Sequence, residues 1–311
     1  MNIVVTGAAG FIGSNLVKKL ASEKHSILCI DALIDTTYSK KIKQTRWLEL
    51  ASIPGIELHK VDMSKISIEP LLHNVDVIFN LAAMPGLVDS WADFDLYLNS
   101  NITATQKLLQ SITAIDRDIK LIHISTSSVY GKIATGDEST ELIPFSPYGV
   151  TKLAAENLVK AYADNSSFKF NILRYFSVYG PEQRTDMAYS KFIDAIYFGK
   201  PINVYGDGKQ SRTNTYIEDC INATISVLNV GIDRSIYNIS GTDEIDLITA
   251  IKIIEEAVGK KAILNFLPPR NGDQLITRGN IAKLIRDTSF KPRIGIREGL
   301  KYQVQHFLNS R

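Results

Sequence analysis

An α/β fold with a doubly wound parallel sheet follows from three observations. Apolar runs of strand length alternate with helical patterns through the first two thirds of the chain. The runs are continuous instead of alternating with polar residues, as in strands covered on both faces. The first run turns into a helix through Gly7, Gly10 and Gly13. In order, residues 3–5 form the first strand, and Thr6-Gly7-Ala8-Ala9-Gly10-Phe11-Ile12-Gly13 leads into an amphipathic helix over 14–22. Strands are then expected at 27–30, 56–61, 75–80, 121–125 and 170–174, with helices at 40–52, 98–113 and 148–165. Beyond Ser177 the rhythm changes, as Pro181, Pro201, Gly206, Gly208, Pro268, Pro269 and Gly272 punctuate shorter elements. The run at 236–239 reads as one more strand of the first sheet. The expected division is therefore 1–175, with 213–240 returning to it, and a smaller, mostly α lobe from 176–212 and 241–311.

The 311 residues carry 35 basic and 33 acidic side chains without a polybasic block, a net charge of +2. Nucleic acid and membrane surfaces are thus not expected partners. Cys29 and Cys220 lie in apolar surroundings, which suggests no disulfide framework and fits a reducing, cytoplasmic compartment. The first apolar run meets Gly7 too early for a signal peptide, and no stretch has the length of a membrane span. No cluster suggests a metal site.

Glycines between a buried strand and a helix expose backbone N–H groups at the positive end of a helix dipole, where a pyrophosphate can approach. A tight turn alone would also use glycine. Here Asp31 follows the second strand, where a carboxylate accepts from an adenosine ribose and repels a 2′-phosphate. The expectation is a Rossmann-type NAD site.

The second chemical cluster is Ser125-Thr126-Ser127-Ser128-Val129-Tyr130-Gly131, at the carboxyl end of a strand, where open α/β sheets place their ligands. It is followed by Tyr148 and Lys152, four apart and so on one helix face. A lysine ammonium with a positively charged nicotinamide favours the phenolate. Lowering a tyrosine by roughly three pKa units takes about 4 kcal/mol, within reach of a desolvated cleft. Each piece also has a plain structural reading, as helix-face chance or as turn chemistry.

Taken together, Gly7-Ala-Ala-Gly-Phe-Ile-Gly13, Asn80-Leu-Ala-Ala83, Ser125-Thr-Ser-Ser-Val-Tyr-Gly131, Tyr148-x-x-x-Lys152 and Arg174-Tyr-Phe-Ser-Val-Tyr-Gly-Pro181 resemble the extended short-chain dehydrogenase/reductase family. Within it they resemble the nucleotide-sugar epimerases and dehydratases. Tyr205-Gly-Asp-Gly208, Tyr216-Ile-Glu-Asp219, Arg270-Asn-Gly-Asp273 and Arg297-Glu-Gly-Leu300 extend the likeness to nearly the whole chain. The resemblance implies that Tyr148 is the acid–base group on a sugar 4-hydroxyl, that Lys152 holds the nicotinamide ribose, and that Thr126 bonds the same hydroxyl. For the cofactor it adds Asp62, Met63, Leu81, Ala82, Ala83, Asn101 and Phe176 to Gly7, Gly10, Phe11, Ile12, Gly13 and Asp31. For the substrate it implies Ser127, Ser128 and Ser177, with Arg212 and Arg270 clamping a nucleotide diphosphate, a task suited to guanidinium forks.

Dehydratases of this family carry an Asp-Glu pair after the catalytic threonine, where this chain has Ser127 and Ser128. The resemblance therefore implies a 4-epimerase with NAD as a bound prosthetic group, passing through a 4-keto sugar. Arg184 is the candidate partner of a glucuronate carboxylate. Thr277, small where glucose-restricted relatives keep tyrosine, leaves room for UDP-GlcNAc. Val88, Asn214, Thr215 and the segment 278–280 depart from the relatives' pattern, so a dehydratase, decarboxylase or 4-keto-sugar reductase stays open. A silent NAD-binding scaffold is a third reading. The expected partner besides a UDP-sugar is a second copy of the chain, paired through the helices at 98–113 and 148–162.

Overall fold

The computed structural model describes residues 1–35, 39–115, 117–269, 274 and 276–311. Its centre is a seven-stranded, all-parallel sheet. In chain order the strands are β1 (Asn2–Thr6), β2 (Ser26–Asp31), β3 (Ile56–Lys60), β4 (Val77–Asn80), β5 (Lys120–Thr126), β6 (Lys169–Tyr175) and β7 (Ser235–Ile239). In space they run β7-β6-β5-β4-β1-β2-β3, so the winding reverses between β1 and β4. A crevice opens where the chains leave two such strands in opposite directions, and open α/β sheets bind ligands there.

The longer helices are α1 (Phe11–Ser22), α2 (Lys40–Ala51), α3 (Ala104–Thr113), α4 (Pro147–Asp164), α5 (Ala188–Phe198), α6 (Ile217–Val230), α7 (Leu247–Val258), α8 (Ala282–Thr288) and α9 (Ile296–Asn309). The two faces of the sheet explain the continuous apolar runs. Ile3, Val5, Ile27, Phe79 and Ile122 enter one core with Leu16 and Leu20 of α1 and Ile221 of α6. Val4, Ile30, Ile78 and Leu121 enter the other with Leu108 of α3 and Val159 of α4. Side chains alternate along each strand, and both destinations are dry.

Two helices depart from the expected limits near the crevice. Gly10 is the extended N-cap of α1 (φ −71°, ψ 169°), so the helix starts at Phe11, three residues before the periodicity begins at Ser14. The helix expected from 98 starts at Phe94 instead, with Asp93 accepting from Leu96 N at 3.2 Å. Between Phe94–Tyr97 and α3 it winds as a π-helix over Leu98–Thr103.

The second part of the chain places short strands between its helices. Ile133–Ala134, Ile276–Thr277, Ser211–Thr213 and Glu244–Asp246 form one small sheet, while Val178–Tyr179 pairs with Thr215–Tyr216 and Pro201–Tyr205 with Ile263–Leu267. β7 adds to β6 in parallel register, Ile236 opposite Ile172. Cys29 and Cys220 are free and buried, and burial pushes the Cys29 thiol up to about 12. Among the described residues no helix is long and apolar enough to cross a membrane, and no group of side chains is placed to hold a metal.

Candidate active site

The glycine turn is built by backbone contact. Gly7 holds φ +68°, and a Cβ there would lie 2.8 Å from Ala82 N; one on Gly13 would lie 2.2 Å from Gly7 O. The end of β1, the loop after β4 and the first turn of α1 therefore touch through bare main chain. Thr6 ties the same junction together: its hydroxyl accepts from Ala82 N at 3.0 Å and donates to Asn80 Oδ1 at 2.8 Å. Asn80 Nδ2 in turn lies 3.1 Å from Nδ1 of His123, a side chain that burial keeps well below its ordinary pKa and so uncharged. At the end of β2, the Asp31 carboxylate accepts from Ala9 N (3.1 Å) and Leu33 N (2.8 Å), fixed beside the turn.

On the other side of the crevice, Thr126 ends β5 and caps the short 3₁₀ turn Ser127–Tyr130, its Oγ1 accepting from Ser128 N at 3.1 Å. Helix α4 approaches that turn end-on. Ser146 caps it by accepting from Gly149 N at 3.1 Å, and Pro147 occupies its first turn. A Cβ on Gly149 would lie 2.8 Å from Ser128 O, so only glycine lets α4 come this close. The neighbouring residue, Tyr148, is thereby brought against Thr126, with Tyr97 packed edge-on at 6.2 Å between ring centroids.

Burial pushes the Tyr148 hydroxyl above its ordinary pKa, while the hydrogen bond with Thr126 and the charge of Arg184 pull it back. Lys152, a turn further on, is buried, and its ammonium donates to Ile124 O at 2.6 Å. Desolvation holds it down to about 8 against the opposing pull of Glu156. The sequence expects a lysine ammonium, together with a nicotinamide ring, to favour the phenolate. In the folded protein the Lys152 ammonium donates to a strand carbonyl, and the charge of Arg184 also acts on Tyr148.

Beneath these residues lies a buried polar network. Glu156, fully buried one turn after Lys152, accepts from Arg174 Nε (3.0 Å) and Nη2 (2.8 Å) and from Ser125 Oγ (2.5 Å). Arg174 Nη1 donates to Tyr130 Oη at 2.9 Å, and Tyr130 donates to Asn238 Oδ1 at 2.8 Å. Helix α4 is thus pinned to β5, β6 and β7 by satisfied charge, the condition under which a buried ion pair is tolerated.

The glycine turn and the residues at the ends of β5 and α4 open on one cleft of ≈ 840 Å³, lined by Gly7, Gly10, Phe11, Ile12, Gly13, Asp31, Asp62, Met63, Leu81, Ala82, Ala83, Thr126, Ser127, Ser128, Tyr148, Lys152, Phe176, Ser177, Arg184 and Arg212. Two expected residues do not line it. Asn101, expected at the cofactor, is buried in the π-helical stretch, where it accepts from Met84 N (2.7 Å) and donates to Met84 O and Thr151 Oγ1. It clamps the loop after β4 to α4. Thr277, expected at the sugar, is buried in a strand of the small sheet. Arg270 lies outside the described residues. Arg184 is bidentate to Asp186 (Nε to Oδ1, 3.0 Å), and Arg212 donates to Gln274 O at 3.1 Å. Lys43, Gln183 and Asp186 also line the cleft; Gln183 and Asp186 flank Arg184 in the sequence, while nothing in the sequence pointed to Lys43.

Comparison with known proteins gives concordant results. A family model described as NAD dependent epimerase/dehydratase matches residues 3–240. The chain is 38% identical to an uncharacterized UDP-glucose epimerase of Bacillus subtilis, over 98% of each. It is 34% identical to the UDP-glucuronate 4-epimerase of Thermodesulfobacterium geofontis, over 97% of this chain and 94% of that one. Among solved structures, the UDP-glucuronic acid 4-epimerase of Bacillus cereus in complex with UDP-glucuronic acid and NAD matches with a TM-score of 0.95 at 37% identity, covering 100% of both chains.

Proposed function

The chain belongs to the NAD-dependent epimerase/dehydratase family, and from that premise we propose that it is a UDP-sugar 4-epimerase using NAD. The cradle fits a dinucleotide: contacts that no Cβ could enter leave the first turn of α1 bare, and the carboxylate of Asp31 stands where a ribose needs an acceptor. Gly7, Gly10, Phe11, Ile12, Gly13 and Asp31 would hold its adenosine diphosphate half, with Asp62, Met63, Leu81, Ala82 and Ala83 along its path and Phe176 at the nicotinamide end. The chemistry that bound NAD supplies is reversible hydride exchange at C4 of the sugar, through a 4-keto sugar.

Tyr148 takes the proton of the 4-hydroxyl and later returns it. Thr126 Oγ1 orients that hydroxyl. Lys152, charged below about pH 8, supplies positive potential from the floor, and Arg184 supplies it from the wall. The observation that carries the reading is the convergence of Thr126, Tyr148 and Lys152 on the cleft of the glycine turn, with serines at 127 and 128. Serine hydroxyls can bond a sugar but do not supply the acid and base that elimination demands.

For the substrate, UDP-glucuronate, UDP-glucose and UDP-GlcNAc are the candidates. Arg184 would meet a uronate carboxylate, and Arg212, with Arg270, the diphosphate. Ser177, seven residues before Arg184, also lies on the cleft. We place the protein in the cytoplasm, in keeping with two free buried thiols, and as a homodimer. The dimer draws support from Trp91, Phe94 and Val150, exposed together around a depression beside the start of α4, and light scattering tests it. Incubation with the three UDP-sugars, followed by NMR, should show C4 interconversion without net NADH. A permanent 4-keto product, released carbon dioxide or stoichiometric NADH consumption would refute the epimerase.

A further inference from the structure

One wall of the cleft is the segment 180–188, which contributes Gln183, Arg184, Asp186 and Met187. Its turn is made by Glu182, a residue with a side chain yet with φ +63°. Such a conformation persists only where surrounding contacts determine it. Glu182 reaches away from its own lobe to the two helices flanking the glycine turn. Its Oε1 lies 3.4 Å from Lys18 Nζ on α1 and its Oε2 3.8 Å from Arg46 Nε on α2, while its carbonyl accepts from Arg46 Nη2. Arg46 is 5% exposed, and its Nη1 has no hydrogen-bond partner among the described residues. A buried guanidinium needs a counter-charge, and the carboxylate Arg46 reaches is that of Glu182. Gln183 is held from the opposite side, accepting from Gln303 Nε2 of α9 at 2.9 Å and donating to Val178 O at 3.0 Å. The segment is thus stretched between α9 and the cofactor-side helices. It faces Lys43 of α2 across the cleft, close enough for the Arg184 charge to act on that ammonium.

We infer that Glu182 is a positioning residue: by pairing with Lys18 and Arg46 it latches the 180–188 segment to α1 and α2 and so keeps a bound dinucleotide enclosed. The inference rests on the NAD reading above. The test uses holoenzyme and the variant Glu182→Asn, because asparagine tolerates the left-handed backbone while the negative charge is removed. Loss of NAD into cofactor-free buffer is followed by assay of retained NAD at low and high salt, and hydrogen exchange is measured at amides 183–187. The variant should release NAD about fivefold faster at low salt, the scale that ion pairs of a part-exposed carboxylate support. The gap should close at high salt, and amides 183–187 should exchange faster. Glu49→Gln, which removes the other carboxylate on Lys18 (3.3 Å), should leave both readings at wild-type values. If Glu182→Asn does not fold, Lys18→Met reports on the same latch with a smaller change in the same direction. Equal release and exchange in wild type and variant overturn the latch, as does a Glu49→Gln protein that releases NAD as fast as Glu182→Asn. Wild-type protein that neither carries nor takes up NAD overturns the cofactor reading, and the latch falls with it.

Discussion

The floor and the wall of the cleft are built on different principles. The floor, formed by the end of β5 and by α4, is dry. Lys152, Glu156 and Arg174 are 3%, 0% and 1% exposed, and each has its partners in hydrogen-bond range. The wall at Arg184 and Asp186 holds its charges by a pair that keeps contact with solvent, at 14% and 20% side-chain exposure. In the interior a charge left unpaired is expensive, so the floor admits few alternatives. Nearer water the same change costs less, so this part of the wall is freer to vary. On the function proposed above, the chemistry would sit on the first and the recognition of different sugars on the second.

The largest test of that contrast is Tyr148→Phe on the floor. It should lower kcat by about a thousandfold or more, the scale of a lost acid–base group, while NAD stays bound; activity within tenfold of wild type would refute the assignment. Next, Glu156→Gln leaves the buried Arg174 short of its counter-charge and should cost about 3–5 kcal/mol in a denaturant titration. An unaltered midpoint would show the floor to be no more demanding than the wall. On the wall, Arg184→Ala should leave stability nearly unchanged and raise the KM for UDP-glucuronate about tenfold to a hundredfold, in line with a charged hydrogen bond. A comparable rise for UDP-glucose would deny it a role in telling the two apart.

The smallest effect is one of pH. Because burial holds Lys152 down to about 8, from an ordinary 10.5, kcat/KM should fall as pH rises through about 8 and the ammonium is lost. Stability should move the other way. The folded pKa is the lower one, so between about 8 and 10.5 the unfolded chain binds more protons and the folded state gains with rising pH. A kcat/KM profile flat to pH 10 would remove Lys152 from the chemistry.

What was legible in the sequence was local. The glycine turn, the strand ends and the four-residue spacing of Tyr148 and Lys152 are short-range patterns, and the backbone geometry they dictate is the geometry found. What was hidden depends on pairs far apart in the chain. Nothing near Glu156 announces Arg174, eighteen positions away and on another element, nor does Gly149 reveal that Ser128 O is its neighbour. Asn101 shows the same limit. The resemblance placed an asparagine on the right helix, yet the π-helical winding turns it toward Met84 and Thr151. Tyr148 and Lys152 were paired correctly in space along one helix, while the direction of the ammonium was decided by a strand carbonyl.

The wide winding at Leu98–Thr103 carries one residue more per turn than an α-helix has room for. Upstream of it, Tyr97 is fully buried with its hydroxyl on Pro85 O at 3.0 Å; downstream, Leu108 is fully buried in the sheet core. A single residue removed there would let the stretch return to ordinary α winding, and because the wide turn already absorbs the extra residue, the helices on either side would keep nearly their present facing. Tyr97 and Leu108 could then both stay inside, and what such a deletion would undo is the grip of Asn101 on Met84 and Thr151.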